Sequence, residues 1–276
     1  MTAILSNARP RRTRAALGLS ELFARYLLLD DKLRGKRVLE IGTVDARSLV
    51  RLYAGGAARV VGTSPQAEQL ETELFGGHDV DVVSMQPGRV DFADASFDVA
   101  VVVDVATELS RSPDFLHDLR RVLASSCIAL IGFRANGCSL VGLMDEGRTP
   151  ASDASRIREE IRRHFASVHF YRQTPFVGVA LESDGSPDDG SVTLDPQLAG
   201  GPGLPSHILA YCGGSAPGPA ERTLVELPFV EFEAATEAMH ANASVALGRL
   251  RDELDLAREE IERREDSIRE IRAKLP

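Results

Sequence analysis

A glycine and an acid stand at the end of a short apolar run near the start of the chain. Residues 36–64 read KRVLEIGTVDARSLVRLYAGGAARVVGTS, in which Glu40 and Gly42 close the run VLEIG. A turn of this kind after a strand lets the backbone approach a nucleotide when glycines, which lack a Cβ atom, fill it. Such turns usually carry three glycines, and this one carries only Gly42. The stretch therefore indicates a nucleotide-binding turn that keeps one glycine of three.

Other catalytic and metal-binding patterns are absent from the sequence. It contains neither the Gly-x-Ser-x-Gly elbow of a nucleophilic serine nor the Gly-x-x-x-x-Gly-Lys loop that binds phosphates. Its six histidines are scattered, and Cys127, Cys138 and Cys212 lie too far apart for a Cys-x-x-Cys metal motif. The sequence predicts no catalytic residue and no metal site.

Short apolar runs alternate with helical patterns from Arg37 onward. FDVAVVVDV, residues 97–105, is the continuous apolar run of a strand buried on both faces. Strands are predicted over residues 37–41, 59–62, 80–83, 97–103 and 127–133, with helices over 17–33, 46–53 and 113–123. This alternation is typical of an α/β fold with a mostly parallel sheet and helices on both faces.

The following segment continues the same pattern less regularly. A helix is predicted over residues 154–165, two strand-like pieces lie within 167–183, and SHILAYCG at 206–213 indicates another strand. Between them, residues 183–205 are rich in glycine, proline and aspartate. A loop of this length is either an insertion at the rim or a mobile lid.

The C-terminal part of the chain has a different character. Apolar residues recur at alternating three- and four-residue steps, and only Arg264 breaks this stripe, which consists of Leu247, Leu250, Leu254, Ala257, Ile261, Ile268, Ile271 and Leu275. Charged residues fill the positions between them, which is typical of a coiled coil. The alternative is an amphipathic helix packed on its own domain. We predict a basic arm over residues 1–16, a domain over 17–215, a linker over 216–235 and a dimeric coiled coil over 236–276.

Composition narrows the possible partners and locations. Hydrophobic residues make up 43% of the chain, enough for a sizeable core, and the net charge is −9. That charge disfavours nucleic acid as a partner, since neutralising phosphates needs a basic surface. No apolar run reaches the roughly 20 residues that span a bilayer, so a cytoplasmic protein without a membrane span is expected. The basic arm is a candidate site for an unidentified protein partner.

The segment over residues 36–133 resembles the class I S-adenosylmethionine-dependent methyltransferases. The stretches that carry the resemblance are VLEIG at 38–42, ARVVG at 58–62, FADASFDVAVVVDVATEL at 92–109 and DFLHDLRRVLASSCIALIGF at 114–133. The resemblance implies a Rossmann-like fold with a seven-stranded sheet. It also implies S-adenosylmethionine as the cofactor of an active member.

The resemblance further implies where such a cofactor would be bound. The family's acid-x-Gly-x-Gly-x-Gly turn falls on residues 40–46, and the acid that accepts hydrogen bonds from the ribose hydroxyls is replaced by Ser64. In an active protein the cofactor-binding residues would be Glu40, Gly42, Ser64, Gln86 and Asp104, with Val44 and Ala46 as obstructions. Weaker ribose contacts and a side chain in the turn are expected to cost about 3 to 6 kcal/mol of binding free energy.

These residues favour a non-catalytic protein on a methyltransferase fold. The first hypothesis is a dimeric scaffold or interaction protein with no bound cofactor, since the lost contacts all concern one ligand. The alternative is an active S-adenosylmethionine-dependent methyltransferase that acts on a small molecule or a sugar. In a third hypothesis the cavity holds a different ligand, because Val44 and Met85 make it more apolar.

Overall fold

The computed structural model describes residues 23–135, 153–175 and 204–214 and, near the C-terminus, 244–258, 260–261 and 263–264. The chain divides into two compact units. The sheet and its helices lie in the unit Gly18–Leu227, and the C-terminal helix lies in the other. The predicted basic arm, the linker and most of the 183–205 loop lie outside the described residues, and so does the second strand-like piece after Pro175.

Seven strands form one sheet in the order β3-β2-β1-β4-β5-β7-β6. Their bounds are β1 Arg37–Ile41, β2 Arg59–Ser64, β3 Val80–Ser84, β4 Phe97–Val102, β5 Leu123–Arg134, β6 Val168–Gln173 and β7 His207–Cys212. The first five are parallel, and β7 runs antiparallel between β5 and β6. The predicted fold class, a Rossmann-like methyltransferase fold with a mostly parallel sheet, is confirmed.

In the described part of the chain, four α-helices accompany the sheet: α1 Ala46–Ala54, α2 Val105–Arg111, α3 Phe115–Val122 and α4 Ala154–His164. An aspartate caps the start of α1, of α2 and of α4, and its side chain accepts a backbone N–H of the first turn. These aspartates are Asp45, Asp104 and Asp153. Helix α2 was not predicted, because it is only two turns long and directly follows an apolar strand. The predicted helix over 17–33 is described only from residue 23, where a 3₁₀ turn spans Arg25–Leu28.

Both faces of the sheet are covered by apolar side chains. Leu39 and Ile41 pack on one face with α3 and α4, whereas Val38 packs on the other face with Leu49 and Leu52 of α1. Successive strand side chains point to opposite faces, so a strand buried on both sides must be apolar throughout. Glu40, the exception in β1, therefore points toward the face that α1 covers.

The described part of the C-terminal unit is a helix over residues 244–258, with helical residues again at 260–261 and 263–264. Its apolar side chains are exposed: Leu247 by 59%, Leu250 by 60%, Leu254 by 51% and Ile261 by 57%. No helix among the described residues is long and apolar enough to cross a membrane.

Candidate functional site

A cavity of about 420 Å³ opens where β1, β2, β3 and β4 reach their carboxyl ends. From β1 the chain adds β2 and β3 on one side of the sheet. From β4 it continues on the other side with β5, so the direction of winding reverses between β1 and β4. Open α/β sheets bind ligands at this reversal. The predicted residues that line the cavity are Gly42, Val44, Ser64, Gln86 and Asp104.

The turn after β1 is held by the end of β2. Gly42 has a φ of +81°, which a residue with a side chain rarely adopts. The backbone N–H groups of Gly42 and Thr43 both donate to the Thr63 carbonyl oxygen, at 3.1 and 2.8 Å. Val44 follows at the cavity wall with 63% of its surface exposed. The first two amides of the turn are thus used within the protein, and the next residue presents a β-branched side chain.

Glu40 lies beneath the cavity and does not line it. The side chain is fully buried, and the Tyr26 hydroxyl donates to its Oε2 atom at 2.5 Å. The Ser48 Oγ atom lies 2.6 Å from Oε1 and 2.8 Å from the Asp45 carbonyl oxygen. Burial raises the pKa of Glu40 and also that of Tyr26. Both carboxylate oxygens have partners on the α1 side of the sheet, a contact that the sequence did not reveal.

Arg25 connects this buried group to the end of β4. The residue is 4% exposed, and its Nη1 atom donates to the Val103 carbonyl oxygen at 3.0 Å. A Cβ atom at Gly132 would lie 2.7 Å from the same Nη1 atom, so the glycine leaves room for the guanidinium. Its positive charge opposes the effect of burial on the pKa of Glu40. Arg25 was not among the predicted site residues because nothing in its sequence surroundings distinguishes it.

At the end of β2, Ser64 stands where the resemblance would place an acid. The residue is 5% exposed, and its Oγ atom accepts the Gln66 backbone N–H at 3.3 Å. Among the cavity-lining residues, the carboxylates are Asp104 and Glu108, and both follow β4. The β2 side of the cavity therefore presents neutral polar groups. Gln86, which follows β3, is exposed at the wall.

The two acids after β4 both have partners within the chain. The Asp104 carboxylate caps α2 by accepting the Ala106 N–H at 3.2 Å and the Thr107 hydroxyl at 2.9 Å. Glu108 is buried, and its Oε2 atom accepts the Gly88 N–H at 2.5 Å. A Cβ atom placed on Gly42 would lie 3.9 Å from its other oxygen. Glu108 thus joins α2 to the turn after β3 and lies beside the β1 turn.

Part of the chain matches a known protein family. Residues 39–131, which run from within β1 to the end of the parallel part of β5, match the family described as "Methyltransferase domain". The predicted resemblance to the class I S-adenosylmethionine-dependent methyltransferases is confirmed over these residues. No curated protein matches the chain.

Solved structures of similar fold share little sequence with this methyltransferase domain. A methyltransferase from Aquifex aeolicus is 17% identical over 74% of this chain and 97% of its own, with a TM-score of 0.48. A Haloferax volcanii methyltransferase complexed with the activator Trm112 is 15% identical over 78% and 96%, with a TM-score of 0.48. The [4+2]-cyclase SpnF is 17% identical over 54% of this chain and 58% of its own, with a TM-score of 0.42. Likenesses this distant carry no information about substrates or partners.

Ala46 of the methyltransferase domain occupies a different environment from Val44. It is 1% exposed, begins α1 and packs with the core cluster that contains Leu49 and Val38. It is not among the residues that line the cavity. Of the two side chains predicted to obstruct a cofactor, only Val44 borders the space in question.

Replacing Glu108 with glutamine is expected to raise the melting temperature at pH 8. Burial raises the pKa of Glu108, the Gly88 N–H opposes this rise, and the charge of Asp104 adds to it. A raised pKa in the folded state gives stability that is present at acidic pH and lost as the pH rises through that pKa. Glutamine keeps an acceptor for the Gly88 N–H without the buried charge. Thermal unfolding from pH 8 down to pH 4 measures the effect.

The advantage of glutamine should shrink as the pH falls, because the wild-type carboxyl then becomes neutral as well. A matched change at an exposed acid, Glu68→Gln, is expected to leave the melting temperature nearly unchanged across the range. A Glu108→Gln protein that is less stable than wild type at pH 8 would contradict a destabilising buried charge.

Proposed function

We propose that this protein is a non-catalytic member of the methyltransferase family, a dimeric scaffold whose cavity does not hold S-adenosylmethionine tightly. The observation that carries the proposal is the engagement of the cavity's polar groups by the protein itself. A fold persists as a binding surface after its site is lost, because packing and site chemistry depend on different residues.

The groups that a nucleoside cofactor needs are the ones already occupied. Glu40 is enclosed by Tyr26 and Ser48, and Asp104 caps α2. Ser64 offers a hydroxyl where two ribose hydroxyls require a carboxylate. Hydrogen bonds to charged groups contribute about 1.5 to 3 kcal/mol each, and neutral ones contribute less. The residues present therefore fit the cofactor poorly.

The conformation of the β1 turn supports the same conclusion. Val44 adds two methyl groups at the wall where the family brings bare backbone against the ligand. A β-branched residue also resists the backbone changes by which a turn adapts. Val44 is 63% exposed, so a cofactor in this cavity would have to push its side chain aside or pack against it.

The C-terminal helix supports the dimeric part of the proposal. Four large apolar side chains lie on one stripe of this helix, and each is more than half exposed: Leu247, Leu250, Leu254 and Ile261. Burial of such side chains contributes about 1.5 to 3 kcal/mol each. A second copy of the helix presents the same stripe and covers it as a coiled coil.

The second candidate function is an active methyltransferase that acts on a small molecule or a sugar. The cavity itself favours it, because a space of about 420 Å³ remains open at the ends of the parallel strands. In that case Gln86 accepts a hydrogen bond from the adenine amino group and Glu108 supplies the negative charge that Ser64 does not.

One pair of measurements on the full chain tests the proposal. Isothermal titration with S-adenosylmethionine and S-adenosylhomocysteine up to millimolar concentration is expected to give no heat of binding at several temperatures. Light scattering of the same sample is expected to give the mass of two chains. Micromolar binding would refute the non-catalytic function, and the mass of one chain would refute the dimer.

A further inference from the structure

The C-terminal helix carries charges of opposite sign on the two sides of its apolar stripe. Leu250 follows Leu247 by three positions, and Leu254 follows Leu250 by four. In heptad notation this places Leu247, Leu254 and Ile261 at position a and Leu250 and Ala257 at position d. The flanking e positions are Arg251 and Arg258, and the flanking g positions are Glu253 and Glu260.

We propose that two copies of this helix pair in parallel and in register, with Glu253 of each copy facing Arg258 of the other. This inference rests on the proposed dimer and specifies its geometry. In a parallel pair, position g of one helix faces position e of the other in the next heptad. In an antiparallel pair e faces e and g faces g, which in the described helix brings arginine against arginine and glutamate against glutamate.

The ion pairs within one helix leave Glu253 available for such a contact. Glu253 makes no ion pair with any residue that the structure describes, and it is exposed. Among the described residues, Arg258 has only a long ion-pair contact, 3.5 Å from its Nη1 atom to Asp255 Oδ1. Glu260, in contrast, is already paired with Arg264 at 2.8 Å and with Arg263 at 3.3 Å.

One e position departs from the charge pattern. The next e position in the sequence is Glu265, which a parallel pair places against Glu260 of the second copy. Arg264, at position d between them, lies beside Glu260 within its own helix. An arginine at position d is compatible with a two-stranded assembly, because a d position in a pair of helices stays close enough to water for a long charged side chain.

Parallel pairing has a consequence for the whole protein. The methyltransferase domain precedes the helix in the chain, so both copies of the domain are joined to the same end of the coiled coil. An antiparallel pair would join them to opposite ends.

Disulfide cross-linking of variants that each carry one added cysteine tests the orientation. Leu250→Cys and Ala257→Cys both alter d positions, which lie about 10 Å apart along the helix axis. A disulfide requires Cα atoms within about 7 Å. An antiparallel pair brings a residue near its own copy only at the two-fold axis, so at most one of the two variants can then link to itself. In a parallel pair both variants do.

The expected result is a covalent dimer from each variant alone under mild oxidation of the full chain. Val245→Cys, on the outer face and 57% exposed, is the matched control and should give none. The unsubstituted chain, oxidised in the same way, shows whether the native cysteines link two chains. Linkage only when the Leu250→Cys and Ala257→Cys chains are co-expressed would overturn the parallel orientation and leave the dimer standing. The mass of one chain for the reduced protein would overturn the dimer as well.

A charge reversal provides an independent readout of the same pairing. Glu253→Arg is expected to weaken dimerisation about tenfold in sedimentation equilibrium, because two attractive pairs per dimer become repulsive. Adding Arg258→Glu restores the pairs and should return the dissociation constant to within about threefold of wild type. A tighter dimer for Glu253→Arg alone would overturn the proposal, because only an antiparallel pair places Glu253 among like charges.

Discussion

Replacing Glu40 with alanine is expected to lower the free energy of unfolding by about 3 kcal/mol. The side chain is fully buried and is the common acceptor for Tyr26 and Ser48. Alanine removes both acceptor oxygens and leaves a void between β1 and α1, so the buried Tyr26 hydroxyl loses its partner. Urea denaturation measures the change, and in a domain of this size the melting temperature should fall by roughly 6 to 12 °C.

Glutamine at the same position is the matched control. Its amide oxygen accepts from Tyr26, and its amide nitrogen donates to Ser48, whose hydroxyl still reaches the Asp45 carbonyl oxygen 2.8 Å away. The loss of stability should stay below about 1 kcal/mol. Equal losses for alanine and glutamine would mean that the carboxylate's hydrogen bonds do not stabilise the fold.

The double change Val44→Gly with Ser64→Asp is expected to raise the affinity for S-adenosylhomocysteine about a hundredfold, into a range that titration detects. Aspartate at the end of β2 supplies a charged acceptor for two hydroxyls, each worth about 1.5 to 3 kcal/mol. Glycine removes the exposed side chain from the cavity wall. Isothermal titration of the variant beside the wild-type protein measures the gain.

Two controls separate charge from shape. Val44→Gly with Ser64→Asn offers a side chain of the same size without the charge, and it should give at most a small part of the gain. Ala46→Gly should not improve affinity, because Ala46 faces the core, and it should cost about 1 kcal/mol of stability in α1. No gain from the aspartate variant, with its fold intact, would show that other contacts exclude the nucleoside.

The strands were predictable because buried strands appear in the sequence as short runs of apolar residues. β1 was predicted with its observed bounds, and β2, β3 and β4 differ from prediction by one or two residues at their carboxyl ends. β5 begins four residues earlier than predicted, at Leu123, because its register against β4 shifts between Phe97 and Val99. Helix α2 was missed, since Asp104 caps a helix too short to show an apolar period.

The candidate site was predictable in part. Gly42, Ser64, Gln86 and Asp104 were expected near a ligand because the family resemblance implies cofactor contacts there, and the structure brings all four to one cavity. Glu40 was grouped with them by motif, yet the alternation of side chains along β1 turns it toward α1. In the sequence, nothing distinguishes Glu108 from any other acid after a strand. Its contact with the turn that carries Gly88 is visible only in the structure.

The sequence by itself determined the fold, the cavity's position and the residues that replace the family's glycines and ribose acid, because strand burial and turn chemistry are local properties. The tertiary structure decided which of those residues face the cavity. Tyr26 reaches Glu40 from fourteen residues away, and Gly88 reaches Glu108 from twenty. Contacts between distant segments depend on how helices and turns pack on the sheet, and no pattern within one segment encodes them.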